Sequence, residues 1–117
     1  MSARERTGDG RYLHAEVETM PRERLAAVQL ERLRATLALA YDKVPLHRAR
    51  LDAASIDPRA IRALEDLRAL PFSAKTDLRD AYPFGLFACP VDGLARLHAS
   101  SGTTGKPTVV GYSKNDI

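Results

Sequence analysis

"LARLHASSGTTGKPTVVGY", residues 94–112, sets a loop rich in glycine and hydroxyls between two stretches that read as β-strands. Before the loop, Leu94, Leu97 and Ala99 alternate loosely with polar residues. After it, "TVVGY" is β-branched and aromatic, the composition strands favour. The loop itself is Ser100, Ser101, Gly102, Thr103, Thr104, Gly105 and Lys106. Gly102 and Gly105 remove Cβ atoms where a backbone must approach something closely or take positive φ. The serines and threonines supply hydroxyl donors, successive backbone N–H groups can form an anion nest, and Lys106 adds a cation. Gly, Ser and Thr also serve ordinary turns that bind nothing. This loop is longer and denser in hydroxyls than a tight hairpin requires, which makes it a candidate phosphate cradle.

The Walker A loop is the obvious rival, and the spacing rejects it. That motif needs glycine, four residues, then Gly-Lys-Ser/Thr. Here Ser100 occupies the first glycine position, and Pro107 stands where a magnesium-binding hydroxyl belongs. A Walker lysine also opens a helix whose N-terminus faces the phosphates, whereas strand-like sequence follows Pro107.

Upstream of residue 94 the pattern is helical. Ala26, Leu30, Leu33, Leu37 and Tyr41 recur at three- and four-residue steps, with Leu25, Val28 and Leu39 widening the stripe. This predicts a core-facing helix from Pro21 to Tyr41, with Thr19 as N-cap. "LHRARLDAA" reads as a second, short helix. Asp57 and Pro58 are a start signal for a third, in which Leu64, Leu67 and Leu70 point inward. "SAKTDLRDAY" reads as a fourth, capped by Ser73. "PFGLFACPVDG", with its prolines and glycines, reads as an irregular connection.

Composition narrows the function classes. The chain has 117 residues, 44% hydrophobic and 28% charged, so it reads as a globular domain or a piece of one. Its formal charge is +3, with basic residues interleaved with acids along helices, as in "RERLAAVQLERLR". That is the pattern of a solvated helix face, and no nucleic-acid binding is expected. The one cysteine, Cys89, forbids an intrachain disulfide and reads as a buried structural thiol, with the cytoplasm as the expected compartment. His14, His47 and His98 lack metal-ligand spacing. No apolar stretch approaches the roughly 20 residues of a membrane span. Lys75, Arg79 and Tyr82 could touch a substrate, but packing through Leu78, Tyr82 and Phe84 explains that segment. His98 could meet a nucleotide, although a strand histidine more often satisfies a local hydrogen bond.

"SSGTTGKPT" resembles the phosphate-binding signature of the acyl-adenylate-forming enzymes, the acyl- and aryl-coenzyme A ligase superfamily. Thr108 after the proline, where many members carry lysine, resembles the phenylacetate–coenzyme A ligase branch. "YDKVPLHRARLDAASIDP" and "IRALEDLRALPFSAKTDLRDAYPFGLFACP" follow that branch's order as well, so the resemblance covers roughly residues 30–117. It implies an α/β fold, α+β in a piece of this size. Helices would be followed by a strand–phosphate loop–strand unit belonging to the large N-terminal domain of an adenylate-forming enzyme. Residues 1–18 would be a flexible start, and 19–117 an incomplete AMP-binding domain. The implied reaction joins an aryl carboxylic acid to ATP as an acyl-adenylate, then to coenzyme A as a thioester. Ser100, Ser101, Gly102, Thr103, Thr104, Gly105 and Lys106 would hold the β- and γ-phosphates, with Mg²⁺ as a further cofactor. The other family motifs would lie downstream, so the chain is expected to be an N-terminal fragment without turnover of its own. The alternative is an interaction module or split-enzyme subunit, pairing with a downstream ligase piece or with itself through an exposed strand edge.

Overall fold

The computed structural model describes residues 10–101 and 105–117. Gly102, Thr103 and Thr104 therefore lie outside the described residues, as does the first half of the expected flexible start. In chain order come α1 (Ala15–Glu18), α2 (Arg22–Lys43), α3 (Pro45–Ala53) and α4 (Lys75–Asp80), then β1 (Leu94–Ala99) and β2 (Val109–Ser113). Short 3₁₀ turns occupy Pro58–Ala60, Leu64–Ala69 and Val91–Gly93. The described chain is thus mostly helical, ending in a two-stranded antiparallel hairpin.

Helix α2 begins one residue after Pro21, whose φ of −53° and ψ of 141° stop the chain from being helical any earlier. Thr19 does not cap it. The Thr19 hydroxyl donates to the Ala15 carbonyl at 2.6 Å and so closes α1 instead. At the other end, Val44 is extended, as the residue before a proline prefers, and Pro45 opens α3. Arg48 then reaches back, donating from Nε to the Tyr41 carbonyl at 2.9 Å and from Nη2 to the Asp42 carbonyl at 2.7 Å. Its cation thereby satisfies acceptors at the negative end of the α2 dipole. Tyr41 adds a hydroxyl hydrogen bond to Asp52 at 2.9 Å. Val44 and Leu51, the two most buried apolar residues described, lie at this corner.

The segment after α3 departs from a single helix. Asp57 does cap, accepting from the Arg59 N–H at 2.9 Å, and Pro58 follows as expected. The helix breaks at Ile61, which is extended and buried, before a 3₁₀ turn resumes at Leu64. One tertiary and two local hydrogen bonds explain the break. Arg34 of α2 donates to the Ile61 carbonyl at 2.7 Å, and Asp66 accepts from the N–H groups of Arg62 and Ala63 at 2.8 and 3.0 Å. Ile61 takes the inward place, and Leu67, expected inside, is 48% exposed.

Helix α4 is capped by Asp77 rather than Ser73. Ala74 is the N-cap residue, and the Asp77 carboxylate accepts its N–H at 2.7 Å. The same carboxylate receives two bonds from Arg50 of α3, Nη1 to Oδ2 and Nη2 to Oδ1, each at 2.7 Å. Arg50 also donates to the Phe72 carbonyl at 3.1 Å. This bidentate clasp ties α4 to α3. The Arg50 hydrogen bonds, then the Ala74 N–H, hold the Asp77 carboxyl down at about 2, from an ordinary 3.8. Because the folded value is the lower one, the stabilisation is complete above about pH 4 and is lost as pH falls towards 2. Urea titrations between pH 5 and 2 should therefore show stability falling with acid. Arg50→Gln should be less stable at pH 5 and flatter across that range; a slope identical to the unsubstituted chain would contradict this account.

The predicted stripe of α2 is partly borne out. Leu25, Ala26, Val28, Leu30, Leu33, Leu37 and Tyr41 are half-buried, Leu39 is exposed, and no residue of α2 is fully buried. The radius of gyration is 17.7 Å, against the roughly 13 Å of a compact domain near this length. The described core is correspondingly thin.

In the hairpin, Leu97 pairs with Gly111, His98 with Val110 and Ala99 with Val109. A Cβ on Gly111 would fall 2.9 Å from Leu94 Cδ1 and 3.0 Å from the Phe87 ring. Glycine is needed there so that the 83–93 connection can lie against the hairpin. An open cleft of about 370 Å³ runs beside it, lined by Leu39, Leu78, Phe87, Val109 and Cys89 among others. Cys89 is exposed, contrary to the buried thiol expected, because it follows the connection along the surface. Phe84 meets Phe87 at 5.3 Å between ring centroids, yet Phe84 and Tyr82 are each 43% exposed. Of the packing expected there, only Leu78 is half-covered.

Candidate functional site

The antiparallel register fixes where the loop leaves the sheet. Ala99 pairs with Val109, so Ser100 and Thr108 face each other at the next step. The Ser100 N–H donates to the Thr108 carbonyl at 3.0 Å, and the Thr108 N–H reaches Ser100 Oγ at 3.4 Å. The two side-chain hydroxyls are hydrogen-bonded to each other, with Thr108 buried. These contacts form a closed neck at the end of the strands. Pro107 beside it carries no N–H and so cannot extend the ladder.

Beyond the neck, the described loop residues Ser101, Gly105 and Lys106 are all exposed. Gly105 has φ +124°, a conformation that a residue with a Cβ adopts only under strain. That is the backbone freedom expected of a cradle glycine. Lys106 forms no salt bridge among the described residues, so its ammonium is available to an anion. Ser100 stands apart from these, with its hydroxyl engaged at the neck. The expected roles of Gly102, Thr103 and Thr104 fall outside the described residues.

The remaining candidates do not converge on the loop. His98 meets Tyr112 edge-on at 5.0 Å between centroids, an aromatic contact in place of the expected hydrogen bond. Among the described residues, no hydrogen bond or ion pair joins Lys75, Arg79 or Tyr82 to the loop. Nor does any group of three or more His, Cys, Asp or Glu side chains among them come together in a way that could hold a metal ion. No helix among them is long and apolar enough to cross a membrane. Sequence reasoning missed the neck role of Thr108. Its signal was present: a threonine opening a strand directly opposite a serine at equal distance across the loop.

An exposed lysine, a glycine at positive φ and a clamped neck can together offer donors and charge to a polyanion at the protein surface.

No family model matches the chain. It is 62% identical over 102 residues to the phenylacetate–coenzyme A ligase of Thermus thermophilus, covering 87% of this chain and 23% of that protein. The Escherichia coli phenylacetate–coenzyme A ligase is 54% identical over 101 residues, covering 86% and 23% respectively. A crystal structure of 2-hydroxyisobutyryl-CoA ligase in complex with 2-HIB-AMP and CoA aligns with TM-score 0.82 and 33% identity, covering 92% of this chain and 24% of that one. The chain thus spans about 23% of the length of the curated relatives it matches.

Proposed function

We propose that this chain, a stretch of the adenylate-forming coenzyme A ligase family at 52–62% identity to phenylacetate–coenzyme A ligases, is the part of an aryl-acid–coenzyme A ligase that carries its phosphate loop. It corresponds, in this reading, to part of the large N-terminal domain. The observation that carries the proposal is the neck-bounded loop, with Gly105 at φ +124° and an exposed Lys106 beside it.

The chemistry of such a ligase explains why a loop of this kind is useful. An anionic carboxylate must approach the α-phosphate of ATP, and pyrophosphate must leave. Both steps concentrate negative charge, which fixed donors and cations offset. Ser101, Gly102, Thr103, Thr104, Gly105 and Lys106 would bind the β- and γ-phosphates through hydroxyls, backbone N–H groups and the ammonium. Their work is to bind and orient, with no residue covalently modified. ATP is the group they fit. Mg²⁺, if used, would be held by other residues, and nothing in this chain is assigned to coenzyme A. Phenylacetate is the substrate favoured by the degree of identity. The chain alone is proposed to bind phosphate without completing either half-reaction.

Titration with inorganic pyrophosphate tests this reading: saturable binding supports it, and none at millimolar concentration refutes it. A second reading, self-pairing, is favoured by the unpaired outer edges of the two-stranded sheet. Sedimentation that shifts with concentration would support that reading, and a monomer at every concentration would exclude it.

A further inference from the structure

Phosphate binding leaves one buried polar group without a task. Thr108 is 8% exposed and immediately precedes β2, which begins with Val109 and Val110. At a buried, strand-like position valine has the same shape and no hydroxyl to satisfy. Packing therefore does not explain threonine. The hydroxyl's described partner is Ser100 Oγ, and the backbones of the same two residues are joined by Ser100 N–H to Thr108 carbonyl at 3.0 Å. The Thr108 N–H approaches that serine oxygen as well, at 3.4 Å. Ser100 Oγ is therefore held by two groups of one residue, at the point where the loop leaves the sheet.

We propose that Thr108 is a positioning residue for the phosphate loop, and that Ser100 acts through it rather than as a phosphate ligand. The hydroxyl pair closes the neck and fixes the directions in which Ser101 and Lys106 leave the strands. A hydroxyl has one proton and two lone pairs. Ser100 commits most of these to Thr108, and leaving the neck to meet a phosphate would strand a buried threonine hydroxyl. This inference rests on the phosphate-loop reading above and redistributes the roles within it.

The test compares the 117-residue chain with Thr108→Val, Thr108→Ser and Ser100→Ala. It uses two readouts: amide hydrogen exchange of Ser101, Gly105 and Lys106 without ligand, and the dissociation constant for inorganic pyrophosphate. Exchange at Val44 and Leu51 serves as the control for global folding. Thr108→Val should speed exchange at the loop amides while leaving the control unchanged, and should weaken pyrophosphate binding about tenfold. Thr108→Ser, which keeps the hydroxyl, should stay within about twofold of the parent on both readouts. Ser100→Ala should match Thr108→Val in size. If Thr108→Val changes neither readout in a chain that binds pyrophosphate, the positioning role is wrong and the phosphate loop survives. If Ser100→Ala loses far more affinity than Thr108→Val, Ser100 is a direct ligand and the proposal is overturned. If the parent chain binds no pyrophosphate, the phosphate-loop reading fails and the positioning role falls with it.

Discussion

Lys106→Ala is expected to weaken pyrophosphate binding roughly tenfold to a hundredfold, the range for losing a hydrogen bond to a charged group. Lys106 is exposed and makes no salt bridge among the described residues, so nothing in the described chain shares its charge. Its attraction to a polyanion is felt through solvent, and salt will screen it over about 8 Å at physiological ionic strength. The loss should therefore be larger in dilute buffer than in 0.5 M salt, roughly speaking, and Lys106→Arg should retain most of the affinity because it keeps the charge. Equal binding by the alanine variant at low salt would mean that the anion sits elsewhere. Thermal unfolding should be unchanged by the substitution, which separates a binding effect from a folding one.

Leu51→Ala should cost about 2–4 kcal/mol of stability, as for other buried leucines cut back to alanine. Leu51 is 3% exposed, and the other buried apolar side chains described in the core are Val44, Ile61 and Val109. With so few, neighbours have little scope to collapse into the space left behind. A typical domain is only about 5–15 kcal/mol more stable than its unfolded chain, and an extended, thinly cored chain should sit low in that range. The substitution should therefore leave a large fraction of the chain unfolded at room temperature, seen as lost helical signal and a lower urea midpoint. Leu39→Ala, at a side chain 49% exposed, should change stability by less than about 0.5 kcal/mol. Equal effects at the two sites would show that the α2–α3 corner is not the core.

What could be read in the sequence, and what could not, divides along physical lines. Both strands were legible, the first from its loose alternation and the second from its β-branched and aromatic composition, as was the glycine-rich loop joining them; their antiparallel register was not. Helix α2 was legible from its periodicity, and α3 as the short helix of "LHRARLDAA". The misplaced features are those settled by partners distant in sequence. Asp77 caps α4 while pairing with Arg50, a residue 27 positions away, so local cap preference wrongly pointed to Ser73. Arg34 fixes the break at Ile61 from a similar separation. Thr19 was misread because two short-range options competed for its hydroxyl, and closing α1 won. At the loop, composition identified which residues could serve an anion. It did not show that Ser100 was already committed to Thr108, because that depends on strand register.

The most direct measurement of the central claim is an amide chemical-shift titration of the 117-residue chain with inorganic pyrophosphate. The account predicts saturable shifts concentrated between Ser101 and Lys106, reached only at roughly tenfold to a hundredfold higher pyrophosphate in Lys106→Ala, with the arginine-rich α2 unmoved. Shifts that are absent, that do not saturate, or that are largest along α2 would contradict it.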